Sequence, residues 1–139
     1  MIILDTNVLS ELMSEHCSEP VRDWVNGRYL DDLFITSVNE AEIRSGIAIM
    51  PEGRKRSRLA DLVQAMFDHD FRGRILPFDT TAARCFAEIV ASRRRAGREI
   101  RGFDVQIAAI ARAVEMMVAT RDIGDFEGCG VELINPWEA

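Results

Sequence analysis

Five carboxylates in this chain stand where their spacing could do chemistry. Asp5 ends the apolar run Met1–Leu4, and Glu42 lies between Ala41 and Ile43. Asp104 opens a stretch rich in Ala and Ile, while Asp122 and Asp125 follow the apolar run Met116–Ala119. Most of them have an ordinary use as well. Asp is a frequent helix cap, which serves for Asp5 and Asp104, and it is common in turns, which serves for Asp122 and Asp125. Glu42 differs. Ser37-Val38-Asn39-Glu40 fits a capping box with Ser37 as N-cap. Glu42 is two positions further on, about 200° round a helix, so it cannot share the work of Glu40. An unpaired carboxylate among apolar neighbours is costly, and a metal ion or an Arg would relieve that cost. Carboxylates brought together repel one another unless a cation holds them. Carboxylate oxygens with retained water are the ligands that Mg²⁺ and Mn²⁺ prefer. Such ions serve phosphoryl transfer by positioning water and lowering its pKa.

Other chemistries lack their parts. His16 and His69 are isolated, with no HExxH or HxH, which excludes the usual zinc hydrolase pattern. No GxxxxGK[ST] or GxGxxG loop offers a phosphate cradle, and no GxSxG elbow offers a nucleophilic serine. Cys17, Cys85 and Cys129 are odd in number, far apart and without a CxxC pair, so they read as reduced thiols.

The elements that must carry the acids alternate. Short apolar strands are expected at Met1–Leu4, Leu33–Ile35, Ile75–Phe78, Met116–Ala119 and Val131–Ile134. Between them lie helical stretches: one from Val8, and one opened by Glu19-Pro20 with Val21, Trp24 and Val25 on one face. A third runs from Ser37 towards Met50, where Pro51 stops it. A long amphipathic helix carries Leu59, Leu62, Val63, Met66, Phe67 and Phe71. A helix capped by Asp79 buries Ala82, Cys85, Phe86, Ile89 and Val90, and another begins at Asp104. This alternation predicts an α/β fold with a short, mainly parallel central sheet covered on both faces. In such sheets sites gather at the carboxyl ends of the strands. Asp5 and Asp122 follow strand ends, and the helix bearing Glu42 begins directly after one, so the acids have a route to one rim.

The 139 residues, 47% of them hydrophobic, fit one compact domain spanning 1–139 with a sizeable core. No apolar run approaches the roughly 20 residues of a membrane span, and MIILDTN lacks the basic start of a signal peptide. A cytoplasmic protein is expected. The net charge of −6 disfavours nucleic acid taken alone. Two basic islands qualify this: Arg54, Lys55, Arg56 and Arg58, then Arg93, Arg94, Arg95, Arg98 and Arg101. They serve equally as solvated helix faces or as a local phosphate-binding surface.

Four ordered motifs make the sequence resemble the PIN-domain family, in particular its VapC-like toxins and their FitB-like branch. Ile3-Leu4-Asp5-Thr6-Asn7-Val8-Leu9 is similar to the first motif, and Glu42-Ile43-Arg44-Ser45-Gly46 to the second. Phe103-Asp104 with Ile107–Ala111 resembles the third. Ala119-Thr120-Arg121-Asp122-Ile123-Gly124-Asp125-Phe126 resembles the fourth, and Ile134-Asn135-Pro136-Trp137 the characteristic ending. The resemblance covers nearly the whole chain and implies a PIN-like three-layer α/β/α domain. It also implies a metal-dependent ribonuclease, the toxin of a bacterial toxin–antitoxin pair, using Mg²⁺ or Mn²⁺ to hydrolyse RNA phosphodiesters. Asp5, Glu42, Asp104 and Asp122 would then hold the ion directly or through water, with Asn7 and Thr120 in support. Many VapC-like sequences place Asn at the position of Asp122 and an acid three residues later, which makes Asp125 the second choice. Arg93, Arg94, Arg95 and Arg98 are the candidates for holding the RNA backbone. A homodimer, a cognate antitoxin covering the site, and operator DNA bound only through that antitoxin are implied too, with no membrane partner. Two other readings compete. A haloacid-dehalogenase-like phosphatase would use Asp5 as nucleophile, but Asn7 stands where its second Asp belongs. A catalytically silent PIN-like module binding RNA or protein is argued against by the complete set of acids.

Overall fold

The structure is a computed structural model that describes residues 1–99 and 102–139. Arg101, part of the second basic island, lies outside the described residues. Five strands form one parallel sheet: β1 (Ile2–Leu4), β2 (Leu33–Thr36), β3 (Ile75–Leu76), β4 (Met117–Ala119) and β5 (Leu133–Ile134), in the order β3-β2-β1-β4-β5. Every adjacent pair is parallel, with Ile3 opposite Phe34 on one side and Val118 on the other. The sheet is thus wholly parallel where the sequence predicted it to be mainly so.

Strand alternation decides which layer each side chain enters. Ile2 and Leu4 join Val8, Leu9, Ile35, Ile43 and Val63 under α1 (Thr6–Met13), α2 (Glu19–Asn26), α3 (Ser37–Ala48) and α4 (Arg54–Ala65). Ile3 points the other way, into a core with Ile89, Ile107, Ile110 and Phe126. That second layer holds α5 (Thr80–Arg95), α6 (Asp104–Val114) and the single turn α7 (Ile123–Phe126). Two apolar cores on a central sheet make the three-layer arrangement. Among the described residues no helix is long and apolar enough to cross a membrane.

Three details differ from the sequence expectation. The cap of α3 sits one residue earlier. Thr36, not Ser37, is the N-cap: its hydroxyl accepts the Asn39 N–H (3.1 Å), while Asn39 Oδ1 accepts the Thr36 N–H (2.8 Å). Glu40 instead pairs with Arg44 at 2.7 Å, one helical turn on. The expected long helix after Pro51 ends at Ala65 and widens into a π-type turn over Met66–Asp70. That turn buries Phe67 and Phe71, whereas Leu62 is left 53% exposed off the stripe. The third strand stops at Leu76, so Phe78 leaves the sheet and packs edge-on against Phe86, with ring centres 5.8 Å apart.

Candidate active site

The strand order reverses between β1 and β4, because β2 and β3 extend one way from β1 and β5 the other. Such a switch point opens a crevice at the carboxyl ends of the strands. Asp5 leaves β1 there and Thr120-Arg121-Asp122 leave β4 beside it, joined by Asp5 N–H donating to the Ala119 carbonyl at 2.9 Å. A cleft of about 460 Å³ lies over this point, and Asp5, Glu42, Asp104 and Asp122 all line it. Four acids from four places in the chain, up to 117 positions apart in sequence, therefore share one cavity.

Hydroxyls and amides fix three of these carboxylates. Asp5 is buried, with Oδ1 accepting the Thr6 N–H (2.8 Å) and Oδ2 accepting the Thr120 hydroxyl (2.8 Å). It caps α1 and lines the cleft at once, so the capping role does not take it out of the cavity. Glu42 is half-buried and takes the Thr6 hydroxyl on Oε1 at 2.9 Å. Thr6 is oriented in turn by Asn39, whose Nδ2 donates to it at 2.9 Å. The buried capping residue of α3 thus ends up holding a side chain of α1. Thr120 works similarly on the other wall, where its oxygen accepts the Asp122 N–H at 3.0 Å. Asn7 Nδ2 reaches Asp122 Oδ2 at 3.1 Å. Asn7 and Thr120 were expected as supports; Thr6 and Asn39 were missed. Asn39 was hidden because the sequence pattern assigned the third position of the cap to Glu40.

Asp104 is placed differently. It is the first residue of α6, Phe103 occupies the cap position, and no side chain caps that helix. Half-buried, it receives no hydrogen bond among the described residues. Burial, reinforced by the charges of Asp5, Asp125, Glu42 and Asp122, pushes its pKa up to about 7. Asp5 and Glu42 are also raised, mainly by burial and against the hydroxyl and amide bonds that hold them ionised. No Arg, Lys or His among the described residues forms an ion pair with any of the four. The donor set is all oxygen, negatively charged and short of one cation, which fits a hard divalent ion. Among the described residues no three acids, histidines or cysteines close on one point as a finished cage. An open rim of this kind suits an ion that keeps several of its waters and takes one or two carboxylates.

Asp125 sits one helical turn beyond Asp122 and lines a neighbouring recess of about 350 Å³ with Arg98 and Gly124; Asp104 is common to both recesses. Asp122 shares the cleft of Asp5 and Glu42, and Asp125 does not. The second basic island divides. Arg94, Arg95 and Arg98 are exposed, Arg98 paired with Glu127 at 3.2 Å. Arg93 departs from the expectation of an RNA contact. It is buried, with Nη1 donating to the Asp125 and Glu127 carbonyls (3.0 Å each) and Nη2 to the Glu99 carbonyl (2.9 Å). Its Nη groups are spent on the chain itself, while Nε is buried without a partner among the described residues, so Arg93 braces the segment that carries Asp125.

The raised acids set a pH dependence for the ion-free protein. The folded chain holds the Asp104 proton more tightly than the unfolded chain, whose Asp titrates near its ordinary value of 3.8. That contribution to stability is complete below about pH 4 and lost as pH rises to about 7. Asp5 and Glu42 act with the same sign. In EDTA the urea midpoint is therefore expected to fall between pH 5 and pH 8, and Asp104→Asn to flatten much of that fall. A midpoint that rises over this range, or an unchanged slope in the variant, would contradict the electrostatic picture.

Comparison with known proteins places the chain in a family. Residues 2–127 match the PIN domain family. The chain is 39% identical to the VapC ribonuclease Y4jK of Sinorhizobium fredii, over 99% of each chain. It is 38% identical to the toxin FitB of Neisseria gonorrhoeae, again over 99% of each. A solved structure of FitAB bound to an IR36 DNA fragment contains a similar chain, with a TM-score of 0.92 and 39% identity over 99% of this chain and 96% of that one. Sequence, sheet order and the placement of the acids lead to one assignment: the chain belongs to the PIN-domain family, among its VapC- and FitB-type members.

Proposed function

We propose that the chain is an endoribonuclease toxin of a toxin–antitoxin pair, dependent on Mg²⁺ or Mn²⁺ and acting in the cytoplasm. The observation that carries the reading is the gathering of Asp5, Glu42, Asp104 and Asp122 around one cleft, with no ion pair to any of them among the described residues. Two relatives, a VapC ribonuclease and a FitB toxin, support it at 39% and 38% identity. These four acids would hold the ion, directly or through water, with Asp125 as the alternative to Asp122. A bound divalent ion supplies positive charge for the phosphate oxygens and makes water easier to deprotonate.

The chain's own residues do the rest. Thr6 and Thr120 fix the Glu42 and Asp5 carboxylates, so these need little reorganisation when a phosphodiester arrives. Asn7 holds Asp122 towards the same cleft. Asp104, held protonated in the ion-free cleft by burial and its acidic neighbours, would give up that proton when a cation binds. For partners we propose a cognate antitoxin that covers the acids, a second copy of this chain as dimer partner, and operator DNA reached through the antitoxin. The FitAB–DNA assembly supports the last of these.

Thr120→Val keeps the shape but removes the hydroxyl that binds Asp5 and receives the Asp122 N–H. It is expected to lower kcat/KM for RNA cleavage about 10- to 100-fold, with Thr120→Ser close to the original chain. Equal initial rates for the Val variant would remove Thr120 from the site. The function itself is tested by offering the purified chain RNA, DNA of the same sequence and a phosphate monoester. Scission of RNA is expected. Phosphate release from the monoester with intact RNA would favour a phosphatase, and RNA binding without scission a silent module.

A further inference from the structure

RNA is a polyanion, and the cleft that would receive it is walled by carboxylates, so some cation at its edge has to meet phosphate. Among the described residues lining the cleft, Arg121 is the single cationic side chain. It is exposed, yet it forms no hydrogen bond or ion pair through its guanidinium with the acids beside it. Its guanidinium carbon lies 5.1 Å from the centre of the Trp137 ring. An arginine one residue from Asp122 has every Coulombic reason to fall onto a carboxylate. A ring contact offers it another seat, and it engages the charge of the guanidinium without using up its five N–H donors.

That seat is itself anchored. Trp137 is half-buried and packs against the core that contains Leu4 and Ala119. Its backbone N–H donates to Asn135 Oδ1 at 2.9 Å, and Pro136 ahead of it is buried. Trp137 also lines the cleft. The C-terminal turn therefore presents one planar cation at the mouth of an acidic cavity, with donors still unspent. A guanidinium fork of this kind matches a phosphate in two-point contact.

We propose that Arg121 is the residue of the cleft that binds the RNA backbone, and that Trp137 is the positioning residue that keeps it off the carboxylates. The inference rests on the ribonuclease reading above. Its test is cleavage of a labelled single-stranded RNA of mixed sequence by the full chain with Mn²⁺, over a range of RNA and salt concentrations. For Arg121→Ala, KM is expected to rise about ten-fold with kcat within about two-fold. The slope of log kcat/KM against log salt should become shallower by about 0.7 to 1. Arg121→Lys keeps the slope but recovers only part of KM, since an ammonium lacks the fork. Trp137→Phe stays near the original chain, whereas Trp137→Leu raises KM without lowering kcat. If Trp137→Leu does not fold, the Phe variant and the two Arg121 variants carry the test. Unchanged KM and salt slope in Arg121→Ala, or a loss confined to kcat, overturn the inference while the ribonuclease reading stands. An original chain that neither cleaves nor binds the RNA overturns both.

Discussion

Asp104→Asn is expected to lower RNA cleavage at least about a hundred-fold while leaving a chain that folds as well as the original. The two halves of this result have one cause. Asp104 has no hydrogen-bond donor of its own among the described residues, is half-buried, and faces the fields of four other acids. Its charge is therefore a liability to the fold above neutral pH and useful only to something cationic brought into the cleft. Asn has nearly the same shape and no charge, so it removes the ligand and the repulsion together. Single-turnover rates with saturating Mn²⁺, read beside urea midpoints at pH 8 in EDTA, check both halves. Retained cleavage would place the chemistry elsewhere. Loss of cleavage together with a destabilised fold would mean that Asp104 is a structural acid after all.

The second large effect falls on stability. Arg93→Ala removes a buried fork that serves the carbonyls of Asp125, Glu127 and Glu99 and touches Cys129 Sγ at 3.4 Å. Backbone acceptors that lose a charged donor must find water or remain unpaired, and the side chain leaves a gap behind. A loss of about 3 kcal/mol is expected, which corresponds to a drop in Tm of roughly 10 °C for a chain of this size. Lys cannot restore it, because a single ammonium does not span three carbonyls. Arg94→Ala on the exposed face of the same helix is expected to move Tm by no more than about 1 °C. Thermal unfolding of the three variants checks this, and equal Tm values for Arg93→Ala and Arg94→Ala would show that the bracing contacts carry no weight.

The fold and the acids were legible in the sequence for the same physical reason. Short apolar runs followed at once by Asp or by a capping residue mark strands that end at a functional rim. Asp5, Asp122 and the start of α3 announce themselves in that way. Glu42 was legible because the capping residue nearby left it without a local role. That inference survived although the cap belongs to Thr36 and Asn39, since a shift of one residue still leaves Glu42 uncommitted. Arg93 was not legible. It lies in a run of three arginines, and only the return of the Asp125–Cys129 loop, some 30 residues later, distinguishes the buried member from its exposed neighbours. Long-range contacts of this kind leave no periodicity in the sequence. The same holds for Thr6 in the bond to Glu42 and for the pairing of Arg121 with Trp137, whose partners are distant in the chain. Leu62 marks the opposite failure. Helical spacing placed it on the buried stripe beside Val63 and Phe67, yet it is left 53% exposed while those two are buried.

Cleavage of a mixed tRNA, rRNA and mRNA panel by the purified full chain, with Mn²⁺, Mg²⁺ or EDTA, decides whether the four acids make a metal-dependent nuclease. Asp5→Asn, prepared identically, is run beside it. Scission that requires the divalent ion, returns when the ion is restored after EDTA, and is absent from the variant is the predicted result. Equal scission by both proteins, or scission undiminished in EDTA, would contradict a metal-dependent nuclease built on these four acids.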